Sequence, residues 1–264
     1  MADGALAGVT SLRSRVSAAE WHARVELAAM YRLTALYGWD DAIFTHISMR
    51  VPAPEGEPDP HHFLINPYGV FFEEMTASAL VKVDLEGQIV GETPYYINPA
   101  GFTIHSAVHA AREDAVCVMH LHTDTGVGVS AQAEGLLPIG QNALILMPQV
   151  AYHDYEGIAL NLDERERLVA NLGSKNLCLL RNHGTLSCGS SAAVTWLQMF
   201  FLERACAQQV AALSGGRDHI LFAPPESVEA VHGQTKGGGP GGVAALAWPG
   251  FLRRIDRQLP GYDA

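Results

Sequence analysis

Two histidines one residue apart, His120 and His122, close the apolar run Val116-Cys117-Val118-Met119-His120-Leu121-His122-Thr123. Read as a strand, this run turns residues two apart to one face. Both imidazoles then point the same way, where strand gives over to loop. A second apolar run, Leu177-Cys178-Leu179-Leu180, leads into Arg181-Asn182-His183-Gly184. If the two runs lie side by side, three imidazoles converge. Three protein ligands with one position left open suit a catalytic zinc rather than a structural one. Neutral imidazole also serves cobalt, nickel, copper and iron, so the residues specify a divalent transition metal more firmly than they specify zinc. A lone histidine at a strand end is ordinarily a hydrogen-bonded or surface residue. The pair taken with the separate His183 turn makes a metal site the better reading.

The elements that must position these residues can be read from periodicity and punctuation. Ser17-Ala18-Ala19-Glu20 has the form of a capping box, opening a helix from Trp21 to Leu36 that stops before Gly38. Phe44 to Val51 alternates like a strand, Pro52 to Pro60 is a polar loop, and Phe63-Leu64-Ile65 is a short strand entering the turn Asn66-Pro67-Tyr68-Gly69. Leu80 to Asp84 and Gln88 to Val90 form a hairpin about Glu86-Gly87. A helix runs from near Pro99 to Ala111, since proline is tolerated at a first helical turn. After the His-x-His strand, Thr125 to Ala133 is a helix of small residues, and Ile139 to Tyr152 holds one or two short strands. Asp163 to Leu172 is a helix stopped by Gly173, and Ser190 or Ser191 caps a long helix through Leu213.

Helices and strands interleave without an internal repeat, which predicts α/β architecture. The predicted organisation is a loosely ordered N-terminus over 1–16, one domain over 17–232, a glycine-rich linker over 233–242 and a C-terminal arm over 243–264. In the arm, Val243 to Trp248 and then Phe251, Leu252 and Ile255 are apolar enough to need burial. The arm either folds back on its own chain or reaches a neighbouring one.

The 264 residues carry a formal net charge of −11. Phosphate backbones and anionic membranes require a basic face, so nucleic acid and membrane partners are not expected. No apolar run reaches the length of a membrane span, and the N-terminus lacks the basic-then-apolar form of a signal peptide. Cys117, Cys178, Cys188 and Cys206 are scattered and form no Cys-x-x-Cys pair, which fits free thiols in a reducing cytoplasm. With 17% charged residues and abundant alanine and glycine, the chain is compatible with extensive subunit contact.

The order and spacing of four segments resemble the class II aldolase/adducin family. They are Asn98-Pro99-Ala100-Gly101-Phe102-Thr103-Ile104-His105-Ser106-Ala107, His120-Leu121-His122-Thr123, Val150-Ala151-Tyr152-His153-Asp154-Tyr155-Glu156-Gly157 and Leu180-Arg181-Asn182-His183-Gly184. The likeness extends over about 20–215 and is nearest to adducin head domains and their bacterial relatives. It implies a three-layer α/β/α domain about a largely antiparallel sheet, often a homotetramer with sites near subunit interfaces. It also implies a divalent metal, Zn2+ or another transition ion, on His120, His122 and His183. In family enzymes that act on small molecules, such a metal polarises a substrate carbonyl and stabilises the enediolate left when a carbon–carbon bond breaks.

The resemblance breaks at a point of chemical consequence. Phosphate-using aldolases of this family carry Ser-Ser-Glu where this chain has Pro99-Ala100-Gly101. Serines hold the phosphate there and the glutamate moves the proton. Proline and alanine cannot donate to phosphate, and glycine cannot carry a proton. The upstream loops differ too, at Thr45-His46-Ile47-Ser48 and Asn66-Pro67-Tyr68-Gly69. A sugar phosphate is therefore not the expected substrate. Substitutes for the glutamate include His105 and His109, four apart on one helix face, and Tyr155; Glu73, Glu74 and His153 are further candidates. Returning the carboxylate as Gly101→Glu is expected to raise aldol activity unless backbone strain at the glycine blocks it. Two functions remain: a metal-dependent lyase on a small unphosphorylated carbonyl or carboxylate compound, or a non-catalytic adducin-like scaffold.

Overall fold

The computed structural model describes residues 11–53, 55–157, 163–235 and 240–264. Among the described residues seven strands form one sheet: β1 (His46–Arg50), β2 (Phe63–Ile65), β3 (Val81–Val83), β4 (Cys117–Leu121), β5 (Val150–His153), β6 (Leu177–Leu180) and β7 (Gly184–Gly189). Their spatial order is β3-β2-β1-β4-β7-β6-β5, antiparallel throughout except for the parallel β5–β6 pair. The two metal-motif strands, β4 and β6, are separated only by β7, and the tight β6–β7 connection carries His183. This is the convergence that the His-x-His reading required.

Helices cover both faces. On one lie α2 (Pro99–Ala111) and α5 (Glu164–Leu172), packed on Val118, Cys178, Leu180 and Leu186 through Ile104, Val108, Leu168 and Leu172. On the other lie α1 (Ala18–Leu36), α3 (Asp124–Ser130) and α6 (Ala192–Leu213), which bury Leu27, Met30, Trp196 and Met199 against Ile47, Met119 and Leu179. Burying such side chains contributes about 1.5–3 kcal/mol each. The expected three-layer α/β/α domain is therefore observed.

Several elements differ from the sequence reading. Ser17 caps α1 by accepting from Glu20 N, but the Glu20 carboxylate does not close the box. It is buried and instead pairs with Arg24 at 2.9 Å and Lys82 at 2.8 Å. The predicted hairpin reduces to β3 with a single bridge from Val83 to Ile89. Within Ile139–Tyr152, residues Gln141–Leu146 form a helix, α4, before β5 begins. A short apolar run has no periodicity that separates helix from strand. Here the burial of Ala143, Leu144 and Leu146, in a helix packed beside α6, decides for the helix.

The C-terminal third closes with α7 (Pro225–Thr235) and α8 (Pro240–Gln258). Residues 236–239 of the predicted linker, and 1–10 of the predicted N-terminus, lie outside the described residues. Pro240, Gly241 and Gly242, also read as linker, open α8 instead. That helix joins the two apolar stretches of the arm, Val243 to Trp248 and Phe251 to Ile255, into one element. It packs on α1 and α6 of its own chain, burying Ala244, Trp248 and Ile255. Trp248 Nε1 donates to Glu26 at 3.0 Å, and the chain end pairs back through Ala77 N to Tyr262 O at 2.8 Å and Ser78 N to Ala264 O at 2.9 Å. Of the two fates considered for the arm, folding back is the one observed.

Candidate metal centre

His120 is the penultimate residue of β4, on the face that α2 covers, and its Nδ1 donates to the Thr185 carbonyl at 2.9 Å. His122 follows the strand, with Nδ1 3.0 Å from Asp41 Oδ2. Each imidazole thus commits Nδ1 to an oxygen acceptor and turns Nε2 inward. His183 sits in the turn between β6 and β7, where Asn182 takes φ +55° and His183 N donates to Leu180 O at 3.0 Å. Gly184 next to it admits a close backbone approach: a Cβ there would lie 2.2 Å from Leu121 O. The glycine lets β7 press against the end of β4 and so brings His183 to the other two.

Ring centroids are 4.6 Å apart for His120–His122, 4.7 Å for His120–His183 and 4.9 Å for His122–His183. One nitrogen from each lies within 4.8 Å of the others, a set able to hold a metal ion. Burial, then the charges of neighbouring imidazoles, holds His120 well below its ordinary value and brings His183 to about 4. Both are therefore neutral at pH 7, the form that ligates. The Nε2 atoms of His120 and His122 stand 2.9 Å apart. With both Nδ1 atoms donating elsewhere, two lone pairs face each other, which is repulsive unless a cation is shared between them. The donor set therefore fits a divalent transition ion.

Three supporting residues escaped the sequence reading. Asp41 orients His122. Glu203, buried on α6, accepts from Thr123 Oγ1 at 2.5 Å and Thr185 Oγ1 at 2.6 Å, fastening the strand ends behind both His122 and His120. Burial raises its carboxyl above the ordinary value. A signal was present: Glu203 falls seven residues after Trp196 and three before Cys206, on the buried stripe of the helix. The third is His46, directly opposite His120 in the β1–β4 register and 3% exposed. Burial, then His122 and His183, brings it to about 3.

The residues considered as substitutes for the glutamate are distributed differently from expectation. His105 and His109 share a face of α2, but that face is interior and both are fully buried. Ser48 Oγ bridges them, 2.6 Å from His105 Nδ1 and 2.7 Å from His109 Nε2, and His109 Nδ1 donates to Ala115 O at 3.1 Å. Without exposed surface, neither is placed to touch a ligand. Tyr155 is 54% exposed with its ring 6.3 Å from His183, at the rim of the cluster. His153 is buried between Asn171 and Glu164. Glu74 accepts from Phe71 N in a short 3-10 turn that also holds Glu73.

The family model described as "Class II Aldolase and Adducin N-terminal domain" matches residues 25–210. A Caulobacter vibrioides protein named for aldolase class 2 is 68% identical over 99% of both chains. Rat alpha-adducin is 45% identical over 78% of this chain but only 28% of its own length. Among solved structures, an aldolase II superfamily protein from Pseudomonas syringae superposes with TM-score 0.92 at 50% identity, covering 97% of this chain and all of the other. L-fuculose 1-phosphate aldolase from Glaciozyma antarctica does so with TM-score 0.77 at 25% identity, covering 90% of each. The match along most of the chain and the shared fold together show that this protein belongs to the class II aldolase and adducin N-terminal domain family.

Proposed function

We propose that this chain binds one divalent transition metal, zinc in the first instance, on His120, His122 and His183, and acts as a lyase on a small unphosphorylated carbonyl or carboxylate compound. The observation that carries the metal is the convergence of three imidazoles, two with their Nε2 atoms 2.9 Å apart and both Nδ1 atoms held by Thr185 O and Asp41. Bound there, a divalent ion supplies Lewis-acid stabilisation of negative charge on a substrate oxygen. The chain's own residues do the rest. Asp41, Thr185 and Glu203 hold the imidazoles in the ligating tautomer and position. Tyr155 supplies a hydroxyl at the rim.

The exclusion of phosphate has structural support. Asn98 Oδ1 already accepts from Ala100 N at 3.1 Å, Pro99 has no N–H, and Gly101 has no side chain. The start of α2 thus offers few donors for a phosphate. Metal-loaded protein is expected to cleave L-fuculose 1-phosphate and L-rhamnulose 1-phosphate negligibly, as followed by coupled detection of the released aldehyde or ketone phosphate. Robust turnover of either contradicts this reading of the helix start.

A second reading, an adducin-like scaffold without turnover, is favoured by the absence of a carboxylate at position 101 and by the 45% identity to an adducin. A screen of unphosphorylated hydroxyketones and keto acids separates the two, since a scaffold turns over none. In either case the proposed state is a cytoplasmic homotetramer. Exposed Leu221, Val243, Leu246 and Phe44 give apolar surface for subunit contact, and four buried free cysteines suit a reducing compartment. Among the described residues no helix is long and apolar enough to cross a membrane.

A further inference from the structure

A cavity of about 300 Å³ lies away from the three histidines, at the other end of the sheet order. It opens between the segment ahead of α1, the first turns of α1, and the edge strand β3 with the chain that follows it. Edge strand β3 stands three strands from β4, which is about 14 Å at the usual strand spacing. Leu12 N donates to Ser78 Oγ at 3.1 Å and fastens the leading segment to the cavity wall. The volume is at the low end of what small organic ligands occupy.

The charged side of this wall is out of balance. The Glu20 carboxylate, 5% exposed, accepts from two cations, Arg24 at Oε1 and Lys82 at Oε2. Arg24 is 3% exposed and donates further to the carbonyls of Ala77 and Leu80. Lys82, with its side chain 20% exposed, has no second partner among the described residues. Two of its three N–H groups are therefore left over. Two positive charges against one negative leave a surplus of one in a largely buried group. Burying charge without its opposite is costly. Arg15, exposed and in no ion pair with a described residue, adds a second cation at the rim. Glu92 also lines the cavity, but it is exposed to water and pairs with none of these cations. Leu12, Leu80, Val90 and Pro94 make up an apolar side.

We propose that this cavity is a second binding site, for a small organic carboxylate with an apolar body, held by Lys82 and by Arg15 at the mouth. The carboxylate supplies the charge that the Glu20–Arg24–Lys82 group lacks and accepts the remaining Lys82 N–H groups. The apolar body lies on Leu80, Val90 and Pro94 and leaves water with the carboxylate still paired. A single surplus charge favours a monoanion. The site is independent of the metal reading, since it shares no residue with the three-histidine set.

The test uses full-length protein and para-fluorobenzoate, followed by fluorine NMR, with para-fluorobenzamide as the neutral probe of the same shape. A ligand of this size binds in the millimolar range. The benzoate is expected to bind native protein and the benzamide to bind roughly tenfold more weakly. Lys82→Met keeps the Glu20–Arg24 pair and removes the free donors; it should weaken benzoate binding roughly tenfold. Arg15→Glu is an exposed change with no partner to lose, and it should weaken binding several-fold, so the test stands even if Lys82→Met does not fold. His122→Ala, which removes a proposed metal ligand, should bind the benzoate as native protein does. Three results overturn the proposal: no benzoate binding by native protein up to about 10 mM, equal binding of the benzamide, or native affinity in the charge variants. Loss of binding in His122→Ala also overturns it, because the anion is then on the metal.

Discussion

Gly101→Glu is expected to lower stability by about 2–4 kcal/mol and to confer no aldol activity. From the sequence, reinstalling the family's carboxylate reads as a direct repair, with backbone strain at a glycine as its obstacle. The structure locates the obstacle elsewhere. Gly101 sits in the first turn of α2 and is not among the residues of positive φ. The collision is with the His46 ring, which a Cβ would reach at 2.4–2.5 Å. That ring is held between β1 and Asn98 and has little room to yield. Even Gly101→Ala should show most of the loss in urea denaturation. The paired change His46→Ala with Gly101→Glu should recover at least half of it, because the ring is then absent. If Gly101→Glu alone is as stable as the native protein, the imidazole does not occupy that space.

Stability is expected to fall steeply as pH drops from about 6.5 towards 4. Burial above all, with the charge of Arg50 next, brings His109 to about 3; burial likewise holds His105 well below its ordinary value. In the unfolded chain both titrate near pH 6.5. Between that value and the folded one, the unfolded state binds protons that the native state does not. Lowering pH in this window therefore favours unfolding, while above about pH 7 the contribution is complete and flat. Each pH unit below 6.5 costs such a histidine up to about 1.4 kcal/mol, so two units across two histidines approach the whole stability of an ordinary domain. Urea midpoints at pH 7.5 and pH 5 measure the effect. His109→Gln should flatten the slope even if it lowers the plateau. Equal midpoints at both pH values contradict the burial of these imidazoles as neutral groups.

How far the sequence can be read depends on the range of the interactions involved. The β4 strand and its two histidines follow from alternation alone, and the Ser191 cap with the α6 stripe from helical period. The second apolar run and its Asn182-His183-Gly184 turn gave the third histidine, and the family resemblance in four motifs added the layer order. What stayed hidden depends on register between distant segments. Asp41 reaches His122 across 81 positions, and Glu203 reaches Thr123 across 80. His46 becomes part of the cluster only because β1 pairs with β4 so that residue 46 stands opposite 120. His105 and His109 were correctly placed on one helix face, but helical spacing does not say whether that face meets ligand or core. Ser48 and Ala115 assign it to the core. Pro240, Gly241 and Gly242, which read as linker, enter a helix because Ala244, Trp248 and Ile255 find buried positions against α1 and α6.

The most direct test of the account is the metal content of purified native protein beside that of His122→Ala. The imidazole set predicts about one divalent ion per native chain by elemental analysis and loss of most of it in the variant, because two imidazoles rarely retain an ion of this kind. Circular dichroism should show both proteins folded. Metal content unchanged in His122→Ala, or a native protein that takes up no divalent ion when grown and purified with zinc present, would contradict the assignment of His120, His122 and His183 as its ligands.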